Sequence, residues 1–222
     1  MRSVAILAAI LFAAVMAAAQ QPQMPAGMSV TPLFENASVA VARLTLLPGT
    51  REMPHTHGYS MLIVPVTSGD IEMLTGTATT KTTRQIGDVD VVERGVVHAG
   101  ANVGTTTLDA IIVAVKADRA KGGTAPPLPR PEGITARDVL DATDAAARRV
   151  ELAPGAREVT HTHPYDFVVI PITRSRMELQ LAGRTETKEY APGEAFFIPR
   201  DTPHAVANPG REPLALIGVA IK

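Results

Sequence analysis

His161-Thr162-His163-Pro164-Tyr165-Asp166-Phe167-Val168-Val169-Ile170-Pro171-Ile172-Thr173 decides the fold, because the chain carries it twice. Stepping back 106 residues gives His55-Thr56-His57-Gly58-Tyr59-Ser60-Met61-Leu62-Ile63-Val64-Pro65-Val66-Thr67. The same offset, without a gap, pairs Pro48-Gly49 with Pro154-Gly155, Arg51-Glu52 with Arg157-Glu158, and Glu72 with Glu178. It continues through Gly87 and Gly193, Arg94 and Arg200, His98 and His204, and Asn102 and Asn208. It reaches Val113-Ala-Val-Lys116 against Val219-Ala-Ile-Lys222. A repeat of this length means two copies of one unit, over 30–116 and 134–222. Between them, 117–133 holds Gly122-Gly123, Pro126-Pro127, Pro129 and Pro131, which suit neither helix nor central strand and so read as a linker.

Within each unit the periodicity is that of strands. Met177-Glu-Leu-Gln-Leu181 alternates apolar with polar residues, the pattern of a half-buried strand. Val168–Ile172, Ala195–Ile198 and Leu214–Ile221 are short apolar runs rich in β-branched or aromatic residues. Six or more strands per unit without a helical period predict a closed sandwich or barrel for each half. The Ala-rich stretch Asp138–Arg149 is the least strand-like; it reads as a short helix or, by its match to Leu33–Arg43, an irregular first strand.

All six histidines of the 222-residue chain fall into three pairs at the repeat offset, with none spent elsewhere. His161 and His163 lie two apart, so on a strand both side chains leave one face. His204 follows about forty residues later before another strand, where a barrel can bring it beside the first pair. The same holds for His55, His57 and His98. Three neutral imidazoles on a concave surface make a site for a divalent transition metal, Fe, Zn, Mn, Cu or Ni, with open positions left for a small-molecule ligand.

In these residues the chain resembles the cupin superfamily. Its signature, G-x5-H-x-H followed by G-x5-P-x-G-x2-H-x3-N, is matched by Gly155, His161, His163, Gly193, Pro199, His204 and Asn208. In the first unit the matching residues are Gly49, His55, His57, Gly87, Gly95, His98 and Asn102. The resemblance covers both units. It implies an all-β protein of two tandem jelly-roll (double-stranded β-helix) barrels, a bicupin of the small bacterial type, with the histidines as metal ligands. The tract from His163 to Thr173 is also similar to small bacterial cupins associated with β-alanine breakdown. The family's glutamate beyond the second histidine is missing from both halves, and Asp166 stands nearest its place as a candidate ligand, matched by Ser60. Asp166 is alternatively a partner that orients a histidine ring. Glu93 replaces the family proline in the first unit and Asp201 the family glycine in the second, so the first site looks the more eroded.

Four further positions have two readings each. Tyr59 and Tyr165 line a pocket or merely pack; Arg51 and Arg157 reach an anionic substrate or sit in exposed loops. Asn102 and Asn208 read as turn caps, and Phe196-Phe197 as core and wall.

Composition bounds the function. Hydrophobic residues make up 45% and charged residues 19%, enough for a proper core. With a net charge of -1 and no long basic run, a nucleic-acid partner is not expected. Residues 1–19 read as a signal peptide: Arg2, then an apolar run from Val4 to Ala19 ending Ala17-Ala18-Ala19, shorter than the roughly 20 residues of a membrane span. Cleavage near Gln20 would leave a periplasmic or secreted protein with no membrane partner. The chain has no cysteine, hence no disulfide framework and no lipid-attachment thiol. No Ser-His-Asp arrangement or phosphate loop stands out. Two readings follow. One is a small-molecule metalloenzyme, dioxygenase-like or of related cupin chemistry; the alternative is a non-catalytic envelope protein that binds a metal or small ligand.

Overall fold

The computed structural model describes residues 24–123 and 131–222, and every regular element there is a strand. The leader expected over 1–19 and the proline-rich heart of the linker lie outside the described residues. Two compact units divide between Arg119 and Ala120. The first contains β1 (Met28–Glu35), β2 (Val39–Leu46), β3 (Ser60–Pro65), β4 (Gly69–Thr75), β5 (Ala78–Arg84), β6 (Asp90–Val92), β7 (His98–Asn102) and β8 (Leu108–Val115). The second repeats the series as β9 (Ile134–Asp141), β10 (Ala145–Leu152), β11 (Asp166–Pro171), β12 (Ser175–Leu181), β13 (Arg184–Tyr190), β14 (Phe196–Ile198), β15 (His204–Ala207) and β16 (Leu214–Ile221).

Each unit has a five-stranded and a three-stranded antiparallel sheet. The orders are β1-β2-β8-β3-β6 and β5-β4-β7, then β9-β10-β16-β11-β14 and β13-β12-β15. Non-consecutive neighbours such as β2-β8 and β10-β16 are what a jelly roll requires, since each hairpin folds back over the previous one. In the second unit, Leu152, Val169, Ile198 and Leu214 of the larger sheet pack with Met177, Leu179, Tyr190 and Val206 of the smaller one. That layer removes apolar surface of both sheets from water, which is the main force holding them together. Alternation sets it: Met177 and Leu179 are buried, while Arg176 between strands' inner residues is exposed.

The Ala-rich stretch is not helical. Its two ends belong to β9 and β10, which pair with each other, and β10 also pairs fully with β16. Tertiary pairing overrides the weak strand preference of alanine here. The irregularity expected of the first strand is present in both copies. The β9–β10 register skips Val139, and the β1–β2 register skips Leu33, its counterpart. Among the described residues no helix is long and apolar enough to cross a membrane.

Candidate metal centre

The first and third histidines of each unit are brought together by the backbone. His161 and His204 exchange N–H···O bonds of 3.0 and 2.9 Å as an isolated antiparallel bridge, and His55 and His98 do the same at 3.0 and 2.9 Å. Directly paired residues place their side chains side by side. The second histidine is fixed through its carbonyl, which accepts from Asp201 N–H (2.7 Å) in one unit and Gly95 N–H (2.9 Å) in the other. Both turn residues have positive φ, 57° at Asp201 and 75° at Gly95. Asp is one of the few side chains that tolerates this region, so the family glycine is replaced without losing the turn.

The result is two clusters, His55, His57, His98 and His161, His163, His204, with one ligand atom from each residue lying within 4.8 Å of the others. Ring hydrogen bonds test whether a cation fits. Nδ1 of His161 contacts Val159 O at 2.8 Å and Nδ1 of His204 contacts Thr202 O at 2.9 Å. In the first unit His55 Nδ1 meets Met53 O at 2.8 Å and His98 Nδ1 meets Val96 O at 3.1 Å. A carbonyl accepts, so each of these Nδ1 atoms carries the proton and each Nε2 keeps its lone pair, the form that binds a metal. His98 Nε2 is buried without a hydrogen-bond partner, as a ligand atom would be. His55 Nε2 and His57 Nε2 stand 3.1 Å apart. That separation suits two nitrogens about 2.1 Å from one ion at an angle of ~95°. The donor set fits a divalent transition metal.

Burial favours the neutral form of two histidines in each cluster. It lowers the pKa of His163 to about 3, helped by the charges of His161, His204 and Arg148. His57 falls to about 4 by burial, with His55 and His98 adding to it. His98 and His204 are also lowered, mainly by burial, against the opposing pull of their carbonyl partners. A histidine in the unfolded chain takes its proton near 6.5, whereas folded His163 does so only near 3. Below 6.5 the unfolded state therefore binds more protons, and the metal-free protein loses stability as pH falls from about 6.5 toward 3. NMR of the metal-free protein should show His163 still neutral at pH 5, and a titration midpoint near 6 would contradict this.

Asp166 does not join the histidines. On β11 successive side chains alternate, so Tyr165, Phe167 and Val169 line the cavity and Asp166 faces away from it. Its Oδ1 accepts the backbone N–H of Arg200 at 2.9 Å and faces Arg200 Nε at 3.7 Å. The counterpart Ser60 takes the equivalent place, with its Oγ 3.4 Å from Arg94 N and 3.1 Å from Glu93 Oε2. This position anchors the turn before the third histidine in both copies. Arg51 and Arg157 are exposed and pair with Glu72 and Glu178, each at 2.6 Å. Tyr59 and Tyr165 do line the cavities, stacking on His57 (4.8 Å, 17°) and His163 (5.0 Å, 9°). Phe196 instead packs into the core against Tyr190 (5.7 Å), so the aromatic wall of the second site is Tyr165 with Phe167.

Two site residues escaped the sequence reading, Glu52 and Glu158. Both line the cavities, and both accept a backbone N–H of the third histidine's strand, Gly100 at 2.6 Å and Val206 at 2.8 Å. Burial raises both pKa values, opposed by that hydrogen bond and by the neighbouring histidine charge. They sit three residues ahead of the histidine pair, which strand alternation would send to the other face. The connecting segments are not regular strand, so periodicity could not place them. Their match at the repeat offset was the available signal.

The cavities differ in size and lining. The first unit encloses about 120 Å³, walled largely by aliphatic side chains such as Leu44, Met61, Ile112 and Met73, with Asp109 and an Arg84–Asp90 ion pair (2.7 Å) also at its lining. The second encloses about 620 Å³ and adds Arg148, Asp138 and Phe167.

Each unit is thus a jelly-roll barrel in which three histidines come within reach of a single ion. The second unit matches the family model Cupin_2, the cupin domain, over residues 148–220. That match covers about a third of the chain, and the first unit repeats the strand order and the histidine cluster of the second. It is 33% identical over 84 residues to Germin-like protein 3-7 of Oryza sativa subsp. japonica, covering 36% of each chain. It is 26% identical over 93 residues to the beta-alanine degradation protein BauB of Pseudomonas aeruginosa, covering 42% of this chain and 97% of that protein. The chain thus spans about a third of the germin-like relative's length. Among solved structures, AerE from Microcystis aeruginosa is similar with a TM-score of 0.69 at 12% identity, over 88% of this chain and 98% of that one. Salicylate 1,2-dioxygenase from Pseudaminobacter salicylatoxidans gives 0.68 at 11%, over 86% and 76%. Oxalate decarboxylase from Lactobacillus farciminis gives 0.67 at 14%, over 92% and 87%. At these identities the likeness is one of fold.

Proposed function

We propose that the protein is a metal-binding bicupin and that its second unit is a small-molecule metalloenzyme, dioxygenase-like or of related cupin chemistry. The observation that carries this is the His161–His163–His204 cluster opening into a cavity of about 620 Å³, within the size range of small-molecule sites. A divalent transition metal there would supply Lewis-acid or redox chemistry at positions left open by three protein ligands. The chain's own residues do the rest. Val159 and Thr202 carbonyls hold the outer ring edges of His161 and His204. Tyr165 and Phe167 crowd His163 and limit water at that ring. Glu158 ties the approach to the histidine pair to β15. The first unit offers the same three imidazoles over a cavity too small for most organic ligands, which suits a structural or weakly used site. The Arg2-to-Ala19 pattern adds export to the periplasm or beyond as part of the proposal.

The test is turnover in single mutants. Dioxygen uptake or decarboxylation, screened over small organic acids with the metal-loaded protein, should be abolished by His204→Ala and largely kept by His98→Ala. The reverse pattern would move the chemistry to the first barrel. Full metal occupancy with no turnover of any candidate would favour a binding protein.

A further inference from the structure

The two units share their histidines but not the wall beside them. At three neighbouring positions of that wall the first unit has Ala42, Ile112 and Met61, where the second has Arg148, Gly218 and Phe167. In the second unit these three residues are adjacent by register: Arg148 pairs with Gly218 across β10 and β16, and Gly218 pairs with Val169, two residues beyond Phe167 on β11. A Cβ at Gly218 would stand 2.4 Å from Phe167 Cζ, so the glycine exists to admit that ring. The ring in turn lies 4.9 Å from His163. The exchange is concerted: removing the isoleucine lets an aromatic face occupy its place, with a permanent cation directly beside it.

We propose that Arg148 is the anion-recognition residue of the second cavity, which takes a small molecule bearing a carboxylate on a planar, apolar body. This rests on the reading of that cavity as the ligand site. Arg148 lies on the face of β10 that carries Ala146 and Val150, and all three line the cavity, with the small Ala147 also touching its edge. Asp138, also on the cavity rim, engages Arg148 through Nε at 2.6 Å, leaving the two terminal nitrogens of the fork without a hydrogen-bond partner among the described residues. The pair is solvated, with 72% of the Asp138 side chain exposed, and such pairs hold weakly. A ligand carboxylate can therefore engage the fork in the bidentate manner that guanidinium favours, while Phe167 and Tyr165 cover an apolar ring. Glu158 lines the same cavity but is committed to Val206 N–H. In the first unit the corresponding wall is Ala42, Ile112 and Met61, all of which line that smaller cavity and none of which is charged.

The probes are benzoate and benzamide, equal in shape and different in charge, titrated calorimetrically into wild type, Arg148→Ala and Arg148→Gln. Each is measured on metal-loaded and on chelator-treated protein, because a bound metal also attracts carboxylates. Wild type should prefer benzoate by about tenfold or more in both states, and both variants should lose that preference in the chelated state with benzamide binding unchanged. Arg148→Lys should retain part of it. Persistence of the preference in Arg148→Ala, equal affinity for the two probes in wild type, or binding of neither would overturn the proposal. Metal content measured on the same samples keeps the two readings apart. A protein that never takes up metal defeats the metalloenzyme reading, while the chelated titration still judges Arg148.

Discussion

His161→Ala is expected to empty the second metal site while leaving the first as it was. His161 makes the two shortest ring contacts within the cluster. It is bridged to His204 through the backbone, its ring lies 4.3 Å from that of His204 and 4.8 Å from that of His163, and its Nδ1 is held by Val159 O. Removal leaves two imidazoles, and chelation by two monodentate ligands from a protein is far weaker than by three. The loss should exceed the roughly 10–100-fold that follows removal of a mere outer hydrogen-bond partner of a metal ligand. Dialysis followed by elemental analysis should show one metal equivalent fewer per chain, with circular dichroism unchanged. Undiminished metal in a folded His161→Ala protein would remove this residue from the ligand set.

Asn208→Ala should be strongly destabilising. The side chain is 1% exposed and makes three hydrogen bonds: Nδ2 donates to Leu152 O at 2.9 Å and to Glu212 O at 2.8 Å, and Oδ1 accepts Gly210 N–H at 3.0 Å. It thereby closes the turn between β15 and β16 and ties that turn to the end of β10. Truncation strands buried polar groups at about 1–3 kcal/mol each, so a loss of about 3 kcal/mol or more is expected. For a unit of this size that amounts to a fall of more than about 10 °C in the unfolding midpoint. Asn102 makes the same three contacts in the first unit, with Leu46 O, Thr106 O and Gly104 N–H. Asn102→Ala should therefore weaken the first unit alike. A midpoint shift of only a degree or two in Asn208→Ala, measured by calorimetry, would refute the role.

Much of this was legible in the residues because it depends on period and repeat. The alternation of Met177 to Leu181 and the unbroken 106-residue offset each determine geometry directly, whereas His161 and His163 meet in a segment that is not the regular strand their spacing suggested. Asp166 stayed open between ligand and ring-orienting partner for a related reason. Counting along the chain puts it near the family's acidic ligand, but the start of β11 decides its face, and alternation from Tyr165 to Phe167 turns it away from the histidines. Glu158 was invisible to periodicity because the segment ahead of His161 is irregular. Asp138–Arg149 was ambiguous because alanine has little strand preference of its own, and β16 supplies the partner that settles it. How Gly218 and Phe167 meet was beyond reach, since residues far apart in sequence become neighbours only across the folded sheet. Arg148 was legible as a letter but not as a wall residue, for the same reason.

X-ray absorption at the metal edge, on protein purified without chelators, tests the central claim most directly. The account predicts a bound divalent transition ion whose inner sphere contains three imidazole nitrogens at about 2.0–2.2 Å, completed by oxygen donors. In His161→Ala protein the imidazole count averaged over the sites should fall. A wild-type protein that holds no metal above trace after purification and reconstitution, or an ion ringed by oxygen donors with no imidazole, would contradict it.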